Sequence, residues 1–283
     1  MNRFESMNEE LKIRQSFFDT DEELNQLVTL QNETYKDRGI TFNPEGFRHW
    51  YVENPCGRAI SFNAFDGDKM VAHYVCIIKQ MLIDGRVVNG INSMATVTHP
   101  DYRGRGLFKT LAKMTYDCAR ENGYEFVIGV ANANSYPGFM KYFPFQSVGQ
   151  LDFKVGYGNH VKPSNDKVFS GYWTNESLKW RCRKFYKQAG DTIIGMHGLF
   201  SRTLVGCFDE QMVSSAGLPN AGASIKPSLY IGLGGTPQGL FMDMPKFVKH
   251  SPFHLIFMDL TDGKLPKITK DNVFFQLFDF DVA

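Results

Sequence analysis

The sequence predicts an α/β (α+β) protein: a mixed central sheet flanked by helices, followed by a second half rich in strands. Three observations carry this expectation. Apolar runs between residues 60 and 98 are joined by Asp-Gly pairs; residues 99–131 read as a glycine turn, an amphipathic helix and a buried strand; and the texture changes beyond residue 158. Asp-Gly between apolar runs is a hairpin signal because the turn needs positive φ.

Taken in chain order, residues 21–36 have an acidic start and apolar Leu24, Leu27, Val28 and Leu30 at helical spacing, which predicts an amphipathic helix. A second, short helix is expected after Pro44. The runs "AISFNAF", "MVAHYVCIIKQMLI" and "VVNGINSMATVT" follow, separated by Asp66-Gly67 and Asp84-Gly85, and should pair antiparallel. Leu107, Leu111, Met114 and Cys118 then mark one apolar helix face that places Cys118 in the core, and Gly123 suits its C-cap. "FVIGVA" at 126–131 reads as a buried strand, parallel to the strand before the helix.

"HVKPSNDK" at 160–167 looks like a linker, so the chain is divided into domains 1–158 and 159–283. In the second, "SLKWRCRKFYKQAGDTIIG" echoes "GFRHWYVENPCGRAISFNA" of the first. A degenerate internal repeat explains the echo; so does coincidence between two aromatic-rich segments.

At 283 residues the chain suits one large or two modest domains, of about 100–200 residues each. With 43% hydrophobic and 14% aromatic residues it has material for a sizeable core. A formal charge of +1 without like-charge blocks argues against a nucleic-acid partner and for a small molecule. Five cysteines without a CxxC pair point to a reducing compartment, and no run of about 18 apolar residues occurs, so a cytoplasmic chain with no membrane partner is expected.

The stretch "VTHPDYRGRGLF" holds the chemistry. Glycines leading into a helix N-terminus build an anion site, where amides converge with the positive end of the helix dipole. The dinucleotide pattern GxGxxG fails, since Gly104 and Gly106 are followed by Lys109 at the third position, and no GK[ST] exists for a Walker loop. What remains, [QR]xxGx[GA] after a strand, with proline three residues before the arginine, resembles the acyl-CoA-binding motif of the GNAT superfamily of N-acetyltransferases. The order of elements and "NANSYPGFMKYFPFQSVG" fit the same family, over residues 20–156. Phe108 replaces the motif's final small residue, and Met140 stands where many members carry a tyrosine acid.

The resemblance implies acetyl-CoA or another acyl-CoA as co-substrate. Its pyrophosphate would lie on Arg103, Gly104, Arg105, Gly106, Leu107, Phe108 and Lys109, and its thioester and pantetheine along Val97 and Thr98, with Asn132 and Asn134 as amide partners. It places Asn92 where some members have a catalytic glutamate; His73 is a candidate base, His99 a base or a structural residue near the phosphates. Tyr142 and Tyr136 are candidate acids. The wording of the motif also looks similar to bacterial enzymes that N-acylate nucleotide-linked amino sugars, with a homodimer as one possible assembly. An aminoglycoside or polyamine acceptor, or a non-catalytic acyl-CoA binder, is the alternative. For the acceptor, Trp180, Arg181, Arg183 and Lys184 suit a nucleotide diphosphate, Trp173, Tyr186 and Tyr230 suit stacking, and Asp279 and Asp281, on one face of an expected strand, suit an ammonium group. No metal site is expected: His250 and His254 have ligand-like spacing, but Pro252 lies between them.

Overall fold

The computed structural model describes residues 11–163, 167–182, 185–197, 201–222, 225–245, 247–248 and 250–280. In chain order the elements are β1 (Lys12–Ser16), α1 (Asp21–Tyr35), α2 (Pro44–Tyr51), β2 (Ile60–Asp66), β3 (Lys69–Ile83), β4 (Arg86–Thr98), α3 (Leu107–Glu121), β5 (Phe126–Ala131), α4 (Tyr136–Tyr142) and β6 (Gln146–Gln150). The second half continues with β7 (Asp152–Pro163), β8 (Phe169–Gly171), α5 (Asn175–Arg181), β9 (Lys187–Ala189), β10 (Thr192–His197), β11 (Ser201–Cys207), α6 (Glu210–Ser215), β12 (Ser228–Leu233), β13 (Gly235–Asp243), β14 (His254–Asp259) and β15 (Val273–Gln276).

Two compact units form. The first comprises residues 1–78 and 91–124, the second 79–90 and 125–283. The texture change at 158 falls inside β7, a continuous strand from Asp152 to Pro163, so the expected boundary there does not divide the units. The tip of the β3–β4 hairpin, far earlier in sequence, belongs to the second unit because its residues pack there.

In the first unit β1, β2 and β3 pair antiparallel, with Lys12 opposite Phe65 and Phe62 opposite Tyr74. Thr20 caps α1 by accepting the Glu23 N–H, and Asn43 caps α2 by accepting that of Gly46. The apolar faces of both helices, with Phe18 and Val97, enclose a core of Leu24, Leu27, Leu30, Phe47, Tyr51, Phe65 and Val75. The face that α3 buries differs from the predicted one: Leu107, Leu111, Ala112, Thr115, Tyr116 and Ala119 are inside, whereas Met114 and Cys118 are only half-buried. Small Ala112 and Ala119 permit close approach to β2, against which the helix packs. Cys118 instead receives contacts at the rim, from Asn122 Nδ2 at 3.5 Å and Gln15 Nε2 at 3.9 Å.

The second unit is β-rich. Its strands run β6–β14–β5, then the β4 and β3 tips, then β8–β15–β12–β11–β10–β9, with the β7–β13 ribbon joined at β12. Phe126, Phe169, Phe257, Phe275 and Phe278 dominate its core, which absorbs much of the chain's high phenylalanine content. The Asp84-Gly85 turn that makes the tip has φ of 49° and 75°, the left-handed pair that a tight hairpin demands. Within this unit β11, α6 and β12 repeat the order strand, helix, strand, and β11 and β12 are parallel.

Candidate functional site

At the end of β4 the chain is held in place before it turns. The His99 N–H donates to the Val71 carbonyl at 2.9 Å, and Nδ1 of its ring accepts the Asp101 N–H at 3.3 Å. Nε2 lies 3.5 Å from Glu33, and the ring meets Tyr102 edge-on. His99 is thus built into the turn as a cap. Amides alternate along a strand, so with His99 bonded to β3, the Thr98 N–H faces the other edge. Val97 is buried beneath it.

Gly104 and Gly106 adopt φ of 77° and 75°. That left-handed backbone costs an L-residue roughly 1–2 kcal/mol, which is why glycine stands at both positions. A Cβ added at either would meet nothing within 4 Å, so the space over the turn is open. Gly106 is the N-cap of the 15-residue α3 and offers no capping side chain. Leu107 anchors the helix in the core, while Phe108 packs edge-on against Tyr74 at 5.9 Å, accommodating the departure from the motif. Arg103, Arg105 and Lys109 are exposed around the turn. Arg103 Nε donates to the Thr98 carbonyl at 3.4 Å, and the Arg105 guanidinium lies 4.8 Å from the Tyr102 ring centroid. Helix amides, surrounding cations and open room together fit an oligophosphate.

The two polar candidates on the central strands are buried. His73 is fully enclosed, with Nδ1 donating to Asn63 Oδ1 at 2.7 Å and the rings of Phe18 and Tyr51 within 5.9 Å and 5.8 Å. Burial lowers its pKa from 6.5 to about 3, so the imidazole is a weak base shut away from solvent and is corrected from candidate base to core residue. Asn92 is 3% exposed, and its Oδ1 has no hydrogen-bond partner among the described residues. An amide there cannot take up a proton.

The remaining candidates lie in the second unit. Asn132 closes a turn: its Oδ1 accepts the N–H groups of Asn134 and Ser135 at 2.9 and 3.1 Å, which commits that oxygen to the start of α4 rather than to a ligand amide. Asn134 is exposed in the same turn. Tyr136 opens α4 with its ring 4.3 Å from that of His254, and Tyr142 ends the helix 43% exposed. Met140 between them is half-buried. His250 stacks on Phe153 at 4.1 Å, so the two histidines pack against separate aromatic rings.

Several acceptor candidates are committed to structure. Arg181 is buried, its Nη2 donating to the Phe280 carbonyl at 2.9 Å and its Nε to that of Phe278 at 3.4 Å. Asp279 sits in a 3₁₀ turn rather than a strand, and its carboxylate accepts from Lys79 Nζ, Trp173 Nε1 and the Gln276 N–H. The ammonium it holds is the protein's own. Tyr186 and Tyr230 are core residues and Trp180 is half-buried, whereas Trp173 lines a cavity of about 560 Å³. Arg183, Lys184 and Asp281 lie outside the described residues.

The strand–helix–strand unit of the second half lacks an open phosphate turn. Asp209 caps α6 by accepting the Gln211 and Met212 N–H groups, so a carboxylate already fills the anion position of that helix. Sequence reasoning missed a cluster beside it: His160, Asp191 and Cys207 offer ligand atoms within 4.8 Å of one another. Their irregular separations match no short ligand motif.

Comparison with known proteins agrees with this fold. Residues 19–146 match the family model of the acetyltransferase (GNAT) domain. A conserved Enterococcus faecalis V583 protein described as a probable N-acyltransferase superposes with a TM-score of 0.59 at 10% identity, over 88% of this chain and 73% of that one. A GCN5-related N-acetyltransferase from Kribbella flavida gives 0.55 at 13% identity, over 87% and 71%. At such identities the likeness is one of fold. No curated protein matches the sequence. Residues 19–146 are therefore a GNAT-family acetyltransferase domain, of the class that moves an acyl group from acyl-CoA to an amine. No helix among the described residues is long and apolar enough to cross a membrane.

Proposed function

We propose that the protein binds acyl-CoA on the Gly104–Gly106 turn and passes a short acyl group to the amine of a small molecule by direct attack. The observation that carries this reading is the pair of left-handed glycines at the N-terminus of α3, with open space where a Cβ would stand. The backbone amides take the pyrophosphate oxygens, and Arg103, Arg105 and Lys109 offset the remaining charge. Bound acyl-CoA supplies the activated thioester. The Thr98 N–H is the donor aimed at the edge where the carbonyl would develop negative charge. For the proton returned to the departing thiolate the candidate hydroxyls are those of Tyr142 and then Tyr136. With His73 enclosed and weakly basic and Asn92 an amide, the incoming amine loses its proton through water.

The acceptor class is read more coarsely. A nucleotide-linked amino sugar is supported by the resemblance in sequence and by Trp173 on its cavity wall, but Arg181 and Asp279 are engaged within their own unit. Release of CoA thiol from acetyl-CoA is therefore followed with a panel of nucleotide-linked amino sugars, free amino sugars, aminoglycosides and polyamines. Turnover with one class names the acceptor. CoA binding without thiol release for any amine would replace the enzyme reading with an acyl-CoA-binding one, and absence of CoA binding would overturn the site.

A further inference from the structure

We propose that His160, Asp191 and Cys207 form a transition-metal site, best matched to Zn²⁺, on the wall of the second unit's cavity. His160 lies on β7, Asp191 in the turn between β9 and β10, and Cys207 at the end of β11. Their ligand atoms all fall within 4.8 Å of one another, and each residue is half-buried. His160 Nδ1 lies 2.9 Å from both carboxylate oxygens of Asp191 and 4.0 Å from Cys207 Sγ. Small side-chain rotations bring such a set to zinc-bond lengths of about 2.0–2.3 Å.

The donor chemistry selects the ion. One imidazole nitrogen, one carboxylate and one thiolate are the borderline ligands that Zn²⁺ takes, whereas Mg²⁺ and Ca²⁺ prefer oxygen alone. Three protein ligands leave a fourth position, the pattern of an open rather than a closed zinc site. That position has room, because all three residues line the cavity of about 560 Å³, beside Lys167, Trp173 and Met212.

Outer contacts hold the ligands in register. Thr192 Oγ1 donates to Asp191 Oδ1 at 2.9 Å. The Cys207 N–H donates to Gln276 Oε1 at 2.6 Å, and the Cys207 carbonyl accepts from Gln276 Nε2 at 3.3 Å. The Phe208 N–H, next in the chain, donates to the Asp191 carbonyl at 2.9 Å. Of these, the Thr192 hydroxyl is the outer partner of a ligating group, while the backbone bonds fix the strands that carry Asp191 and Cys207. A cysteine nucleophile relay needs acid and thiol on opposite ring nitrogens. Here both face Nδ1, so that use of the same three residues is not assembled. The site lies at the C-terminal end of β11, ahead of α6, the place that the first half gives to its glycine turn.

The test uses the full chain, stripped with a chelator and titrated with Co²⁺ and then Zn²⁺. Equimolar Co²⁺ should produce a thiolate-to-cobalt charge-transfer band and visible bands of four-coordinate intensity, which Zn²⁺ then abolishes. Cys207→Ser should remove the charge-transfer band. His160→Gln should weaken Zn²⁺ by more than the ~10–100-fold that loss of an outer-shell partner costs, and Thr192→Val by about that amount. Circular dichroism of each variant establishes that it is folded. A folded full chain that develops no charge-transfer band, a band that survives Cys207→Ser, or one that vanishes instead with Cys182→Ser overturns the proposal.

Discussion

The Asp279 carboxylate accepts the Lys79 ammonium at 3.0 Å, in a pair whose side chains are 1% and 7% exposed. Trp173 Nε1 at 3.1 Å and the Gln276 N–H at 2.9 Å complete its coordination. Removing one partner strands a buried charge, so Asp279→Ala should cost about 3–5 kcal/mol of stability. Replacing both, as Lys79→Met with Asp279→Leu, should recover most of it. Urea unfolding of the three variants checks this. A stable Asp279→Asn variant with a raised amine KM would instead return Asp279 to the acceptor site.

The glycine turn separates binding from folding. Gly106→Asn keeps a residue that tolerates positive φ but puts a side chain into the open space over the turn. It should unfold within a few degrees of the parent yet bind CoA at least ~10-fold more weakly, about 1.4 kcal/mol. Calorimetric titration with CoA, together with a melting curve, reads both. Unchanged affinity would move the pyrophosphate elsewhere.

His73 should register in stability rather than in rate. Its pKa falls to about 3 in the folded protein from 6.5, so between those values the unfolded chain alone binds the proton. Stability is therefore lost as pH drops from about 6 to 4, with a slope near 1.4 kcal/mol per pH unit from this group. His73→Gln should flatten that slope while leaving the neutral-pH limb of kcat/KM in place. Equal slopes in both proteins would mean that the imidazole is hydrated and able to titrate.

The acid assignment rests on hydroxyls that can be removed without removing rings. Tyr142→Phe should lower kcat by roughly 10²-fold or more under chemistry-limited conditions, within the range for a positioned acid. Tyr136→Phe preserves the stack on His254 and should have the smaller effect. If neither substitution moves kcat, water supplies the proton.

Features set by near neighbours along the chain are legible in the amino-acid sequence alone. The Asp66-Gly67 and Asp84-Gly85 turns, the start of α1 after Thr20, and the Gly104–Gly106 turn all depend on local φ and on capping over three or four residues. Those are properties that a short peptide already expresses. The proposed acyl-CoA cradle belongs to this group, being one stretch of chain from Thr98 to Lys109.

Tertiary structure decided the rest, because burial and partner choice depend on sheet register between distant strands. His73 looked like a base and became a core residue once Phe18 and Tyr51 closed over it. Asp279 looked like an ammonium site and met Lys79, 200 residues away. His160, Asp191 and Cys207 share no spacing rule, and only the pairing of β10 with β11, Thr192 opposite Cys207, brings two of them to the third. Periodicity reports which face of an element is apolar; what that face meets is fixed when the whole chain excludes water together.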